Sequence, residues 1–534
     1  MPFAALTAAA AAAAAGLSAG ETFAEDLVVR PLPDGKVLLN FEFDIGRAQP
    51  PDGADQHNYH LFPRQIGEIV QGYGVSALQL TFTQGVWREA HWGYPPAASH
   101  GTGAEVIAQI DDVGQETGSR WKGLTNALSG VFCASLNFIG DENTAMPRLA
   151  FAEARQGSTS NGTVRHAYLA RENVCTENLT PWVKQLPCQS MSGIGALLNP
   201  HRLYNMHFHS MGATLRSVPS SGGGRQLHYK QHLSVVLDPA AFGLGDEWTL
   251  DELMDRHLAT ACPAATRSTV RIVAPDTGVQ VTPAPDSVSR NDGTGHTTHV
   301  YDMQKRQGHG ARIGIAFRPD VGGRVPAAEA PVVAAHRYVT GHGNSDGGVE
   351  TIITSRHNEP MQITLLDTLP WYLRVYSHTL QIHTTAADGR TLELTPSQTA
   401  FTPAVDRGRP ASFELELELP PNSRTAVRYD FDKGFLKYTE HPPDANRGFN
   451  IGPAIVSYRL ARTATRPLFC ADSEECPVRV YTELFLASLP TPDFSMPYNV
   501  ITFTCTILAL FFGRMFNLLT RDFAVLKPAA PSSS

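Results

Sequence analysis

The chain has 534 residues, 42% of them hydrophobic and 18% charged, with 43 Lys and Arg against 51 Asp and Glu for a net charge of −8. Such a length exceeds one ordinary core and implies roughly two to four domains. The hydrophobic share excludes global disorder, and the lack of a basic stripe excludes a nucleic-acid groove.

The first twenty residues, MPFAALTAAAAAAAAGLSAG, form an uncharged apolar run that ends in small residues and precedes an acidic stretch. This predicts a secretory signal over 1–20. Next, EDLVVRPLPDGKVLLNFEFDI holds two strand-like runs around Pro-Asp-Gly, a hairpin signature. FPRQIGEIVQGYG places Ile66, Ile69 and Val70 on one helical face and stops at glycine. ALQLTFTQGVWREAHWG returns to alternation, and its Trp87, Trp92 and Tyr94 read either as a contact patch or as a buried cluster. WKGLTNALSGVFCASLNFI starts with helical spacing at Trp121, Leu124 and Leu128 and then reads as a β-like run. Residues 21–275 are therefore expected to form a β-rich domain with helices.

Between 276 and 330 the chain turns rich in Pro, Asp, Gly, Ser and Thr, which predicts a loop or domain seam. From 331 to 497 strand patterns dominate. FELELELP alternates so regularly that one face should be buried and the other wet. Short strands with turns between them predict a second domain of β-sandwich type.

Val500 to Gly513 carries no charge, and extension to Leu519 gives a span long enough to cross a bilayer. A transmembrane helix is expected over 498–519 and a tail over 520–534. Arg514 can snorkel to the headgroups. Arg521 and Lys527 follow the span and Asp493 precedes it, which orients the tail to the cytosol and the bulk of the chain to the lumen. The fold class is thus mainly β, with an α+β N-terminal region, sandwich-like lumenal domains and one C-terminal membrane helix.

Seven cysteines are present, of which Cys505 falls in the apolar run. The other six (Cys133, Cys175, Cys188, Cys262, Cys470 and Cys476) suit an oxidising compartment, but their spacing does not fix the pairing. Two sequons name Asn161 and Asn178 as glycosylation candidates. Catalytic constellations are lacking: there is no HExxH, P-loop or CxxC. His207 and His209 could share a strand face as metal ligands, but two histidines without a partner read better as ordinary polar residues. No metal and no cofactor is called for. TPDFSMPYN sets Asp493, Ser495 and Asn499 among Pro490, Pro492 and Pro497 at the membrane entry. This polar collar reads equally as a holder for a lipid headgroup or glycan and as a stiff linker.

LFPRQIGEIV, LTFTQGVWR, WKGLTNALSGVFCASLNFI, VCTENLTPWVKQLPC, LLDTLPWYLRVYSHTL and LPTPDFSMPYNVI together resemble the PIG-T family of GPI transamidase subunits, from about Glu25 to Arg521. The glycine-rich stretch from Ser217 to Arg225 looks shorter than in the family, and 276–330 does not align. The resemblance implies an endoplasmic-reticulum membrane complex that cuts a C-terminal signal from precursor proteins and joins the new carboxyl end to the ethanolamine amine of a GPI lipid. The thiolate chemistry would belong to a cysteine-protease-like partner. This chain would be a non-catalytic scaffold that helps position the lipid. It further implies that Cys175 forms an interchain disulfide with that partner, leaving an odd number of lumenal cysteines. Asn446, Asp493, Ser495 and Asn499 would contact the GPI lipid. A signal, sequons, β-domains and one helix fit a single-pass adhesion or receptor ectodomain as the alternative.

Overall fold

The computed structural model describes residues 20–49, 58–95, 101–111, 114, 116–155, 162–170, 172–219, 224–258, 260–276, 278–291, 295–306, 312–317, 325, 330–442, 444–460, 476–493 and 495–524. Most of the predicted signal, Asn161, Cys470 and the end of the tail lie outside them.

The first domain is built on β1 (Glu21–Pro31), β2 (Val37–Gln49), β3 (Val75–Gly85), β4 (Gly103–Ile110), β5 (Thr144–Ala145), β6 (Thr163–Leu169), β7 (Phe208–Pro219), β8 (Arg225–Leu237), β9 (Glu247–Thr249), β10 (Arg267–Pro275), β11 (Val279–Thr282), β12 (Ser287–Asn291), β13 (His296–Asp302) and β14 (Gly314–Phe317). Eleven of these form one sheet in the order β12-β13-β10-β1-β2-β8-β7-β3-β4-β6-β5, and β11-β14-β9 form a small second sheet. The β1–β2 hairpin turns where Pro-Asp-Gly predicts it, with Gly35 at φ +78° and Leu32 N–H donating to the Lys36 carbonyl at 2.8 Å. Only glycine enters that φ region without strain.

One face of the large sheet carries α1 (Arg64–Tyr73), α2 (Glu116–Phe132) and α3 (Thr176–Lys184). Their apolar residues Ile66, Val70, Trp121, Leu124, Leu128, Phe132, Leu179 and Trp182 are buried in one core with the inward side chains of the strands. The Trp182 indole N–H also donates to the Gly212 carbonyl at 2.9 Å, so the helix is pinned as well as packed. Burial of a large side chain of this kind contributes roughly 1.5–3 kcal/mol. Gly74, at φ +64°, ends α1 as a left-handed cap.

The second domain contains β15 (Val333–Thr340), β16 (Asp346–Ser355), β17 (Met361–Leu369), β18 (Leu373–Thr385), β19 (Thr391–Glu393), β20 (Gln398–Thr402), β21 (Ala411–Leu419), β22 (Arg424–Lys433), β23 (Phe449–Ile451), β24 (Ile455–Leu460), β25 (Cys476–Tyr481) and β26 (Phe485–Ala487). Two five-stranded sheets, β15-β16-β22-β18-β19 and β20-β21-β17-β24-β25, face one another. Val333, Ile353, Ile382 and Val427 of the first meet Ile363, Leu365, Leu415, Leu417 and Val456 of the second in one core. This is the predicted sandwich. Arg337 and Asp367 form an ion pair inside it, with side chains 0% and 1% exposed. Tyr429 donates to the second Asp367 oxygen at 2.6 Å, and Arg337 also donates to the Gly452 carbonyl. α4 (Ser495–Thr520) follows, and within it Tyr498–Thr520 is long and apolar enough to span a membrane.

The two domains are welded along β4. Ala104, Val106, Ala108 and Ile110 point to the helix layer, while Ile107 packs with Phe151, Leu366 and Ile455 across the seam. Glu105 lies in that seam. Its carboxylate meets His166 Nε2 at 2.8 Å and accepts the Tyr481 hydroxyl at 2.9 Å. Arg479 donates to Gln79 at 2.9 Å and pairs with Glu153 at 3.1 Å. Glu414, on β21, accepts the backbone N–H groups of Arg148, Leu149 and Ala150 at 2.7, 2.7 and 2.9 Å.

Three expectations change and one open alternative is settled. The run after Leu128 is not β-like: α2 continues to Phe132, and Ser135–Phe138 forms a 3-10 turn, because Phe132 completes the helical stripe into the core. The predicted seam at 276–330 contains β11 to β14, and β12 and β13 extend the large sheet; its turn-forming residues separate short strands rather than domains. The wet face of FELELELP is only partly wet, since Glu414 is 2% exposed. Trp87, Trp92 and Tyr94 are buried rather than a contact patch, with the two indoles 5.0 Å apart.

Glu414→Ala should strand three seam amides and lower stability by about 3 kcal/mol, measured by chemical unfolding. Glu418→Ala, on the exposed part of the same strand, should change it by less than about 0.5 kcal/mol. At the same seam, burial pushes the half-buried Glu89 carboxyl up from 4.5 to about 7, with Glu483 raising it and His336 and Arg356 opposing. The folded chain holds a proton there that the unfolded chain releases, so stability falls as pH rises from 4.5 to about 7. Glu89→Gln should remove that decline in a series of melting temperatures against pH.

Candidate subunit and lipid contact sites

Cys175 is the N-cap of α3. Its backbone N–H donates to Asn178 Oδ1 at 2.9 Å. Asn178 Nδ2 in turn donates to the carbonyls of Phe132 and Cys133 at 3.1 and 2.9 Å. One side chain therefore ties the start of α3 to the end of α2. Tyr204 donates its hydroxyl to the Cys175 carbonyl at 2.5 Å. The Cys175 thiol is half-buried and forms no disulfide among the described residues, and that of Cys133 is exposed. Cys188 and Cys262 are joined, with Cα atoms 5.9 Å apart. Cys470 and the Cys476 side chain lie outside the described residues.

Asn178 is 1% exposed. The nitrogen that would carry a glycan is spent on two carbonyls, so this sequon serves as a helix cap in the folded chain. The sequence pattern could not separate the two uses, because a capping asparagine and a sequon asparagine look alike in the chain. His209 is 0% exposed, stacks on Tyr204 at 5.2 Å and is pushed down to about 4 by burial. His207 instead faces outward, 3.9 Å from Asp238. The two histidines do not converge, and no group of three His, Cys, Asp or Glu forms a metal cluster among the described residues.

Asn446 is exposed in the turn Ala445–Arg447. That turn leads directly into β23, which pairs with β26 in the register Phe449↔Ala487. The chain then runs through Leu489, which is 7% exposed in a core shared with Ile451 and Ala487. It emerges at Pro490 and reaches Asp493, which is exposed. Asn446 and Asp493 thus flank the same end of one two-stranded antiparallel pair. Ser495 opens α4, and Asn499 follows four residues later on the same helical face and is exposed. The Ser495 side chain lies outside the described residues.

A cleft of about 560 Å³ opens between the domains beside this strand pair. Its first-domain wall includes Ser135, Phe138 and Glu142, and its second-domain wall includes Trp371, Tyr372 and Phe449. Sequence reading missed it because its walls are far apart in the chain. The signals available were Phe138, which is 74% exposed, and the Trp371-Tyr372 pair.

Asn178→Gln removes the sequon and lengthens the capping side chain. It should lower the melting temperature by several degrees, and glycosidase treatment of the parent chain should leave Asn178 without the mass shift of a deglycosylated site.

The profile of the Gpi16 subunit, GPI transamidase component, matches residues 6–243 and 239–534. The human GPI-anchor transamidase component PIGT is 36% identical over 543 residues, covering 95% of this chain and 92% of that protein. GPI transamidase component GPI16 of Saccharomyces cerevisiae is 30% identical, covering 95% and 89%. Among solved structures, the collagen-binding domain of Erysipelothrix rhusiopathiae surface protein RspB is 9% identical with a TM-score of 0.18, covering 89% of this chain and 98% of that domain. These matches remove the receptor reading: the chain belongs to the Gpi16 family of GPI transamidase components.

Proposed function

We propose that this chain is the non-catalytic scaffold of the transamidase, held in the endoplasmic-reticulum membrane by α4 with both domains in the lumen. It binds the cysteine-protease-like subunit through an interchain disulfide at Cys175 and places the GPI lipid with Asn446, Asp493, Ser495 and Asn499. The observation that carries this reading is the β23–β26 pairing, which sets the Asn446 turn beside the chain that enters the membrane. A lipid whose tails lie in the bilayer and whose head rises along α4 would meet both.

The chemistry divides sensibly. Asp493 is an acceptor and suits an ammonium or sugar hydroxyls. The N–H groups that start α4 suit a phosphate. Prolines before the helix hold the collar stiff, and β26 anchors it to the core. Fixing an amine near an acyl-enzyme removes entropy from the barrier, on the order of 7–11 kcal/mol at the limit. A scaffold can therefore raise the rate without touching the reacting bond. Asn161 remains the glycosylation candidate that suits lumenal exposure.

In this reading Cys175→Ser abolishes a disulfide-linked heterodimer on non-reducing gels, whereas Cys133→Ser keeps it. A linked species that survives Cys175→Ser overturns the assignment. Asp493→Ala combined with Asn499→Ala should reduce anchor attachment at least tenfold while the complex still co-purifies. Undiminished attachment would make the collar a linker.

A further inference from the structure

The interdomain cleft is not assigned by the lipid and disulfide sites. Its volume, about 560 Å³, falls within the roughly 300–1,000 Å³ of ligand cavities, which concentrate at domain interfaces. Three observations decide what suits it.

The first is a free strand edge. β23 belongs to a two-stranded sheet and, among the described residues, has β26 on one side only. An antiparallel strand turns alternate N–H and C=O groups away from its partner. Phe449 and Asn450 of this strand line the cleft. An open edge of this kind pairs with an extended backbone. The second is charge. Glu142 and Glu172 line the cleft, and among the described residues no Lys or Arg does. Arg407, stacked on Trp371, is engaged by Glu440 through bonds of 2.5 and 3.1 Å. Phosphate is therefore disfavoured there and a basic side chain favoured. The third is Phe138, an apolar ring 74% exposed at the mouth. Together with Phe449 in the same lining it offers an apolar surface to an occupant.

The cleft also adjoins the thiols. Ser135 N–H donates to Glu172 Oε1 at 2.8 Å, which draws the segment after Cys133 against the segment before Cys175. A subunit docked near those cysteines has the mouth of the cleft within reach.

We propose that the cleft receives an extended peptide segment of another subunit of the complex, added along the free edge of β23, with an apolar side chain against Phe138 and Phe449 and a basic one toward Glu142 and Glu172. This requires only membership of the complex and not the disulfide at Cys175.

The test uses the intact complex in mild detergent. A benzophenone-bearing residue in place of Asn450 should cross-link to one partner peptide, read by mass spectrometry. The same probe in place of Leu392, exposed on β19, should not capture that peptide. Phe138→Asp, at an exposed site that does not threaten folding, should lower the Asn450 cross-link yield about tenfold. Leu392→Asp should leave it unchanged. Cross-links only to glycolipid, only within the chain or to nothing overturn the proposal, as does an undiminished yield in Phe138→Asp. Loss of the disulfide in Cys175→Ser with the cross-link retained would affect the disulfide assignment alone.

Discussion

The carboxylate of Glu414 is the constraint on which the arrangement of the domains depends. It holds three consecutive amides of the other domain, from Arg148 to Ala150. A buried carboxylate is costly unless its oxygens are satisfied, and here they are satisfied only if the two domains meet in one way. Glu105 repeats the device from the opposite side, accepting Tyr481 of the second domain. Apolar contact among Ile107, Phe151, Leu366 and Ile455 supplies the non-directional part of the same seam. Hydrophobic burial draws the domains together, and the charged acceptors set the angle.

That angle has consequences at both ends of the molecule. It shapes the cleft, because the walls come one from each domain. It also fixes the direction in which the chain leaves for the membrane. The buried Arg337–Asp367 pair holds the Gly452 carbonyl, and the Arg337 guanidinium lies 4.7 Å over the ring of Phe485 on β26. A strand leading to a membrane helix would ordinarily be a place where a domain tilts. Here it is clamped by a fully buried cation, so the collar at Asp493 moves with the sandwich rather than apart from it.

Two chemically distinct surfaces result. The collar combines an acidic side chain with the N-terminus of the apolar helix α4. The cleft is aromatic, proline-bordered and acidic, and is lined in part by β23 of the β23–β26 pair. In the readings proposed above, the collar holds the lipid and the cleft a protein segment, with their separation fixed by the seam.

Much of this was legible in the chain. Local periodicity located the Pro-Asp-Gly hairpin, the helix stripe at Ile66 and Val70, the strands of the sandwich and the apolar span of α4, since each depends on residues within one or two turns of each other. The motifs around Cys175 and Asp493 were likewise contiguous and carried the family resemblance. What the sequence could not decide were roles set by distant neighbours. Glu414 alternates like any solvent-facing strand residue and is buried only because another domain covers it. Asn178 has the form of a sequon and is consumed by carbonyls more than forty residues earlier. The cleft has no motif, because Phe138 and Phe449 meet only when the sheet and the sandwich are locked. Tertiary structure decided those points because burial and hydrogen-bond partnership depend on what the fold brings near, which spacing along the chain does not encode.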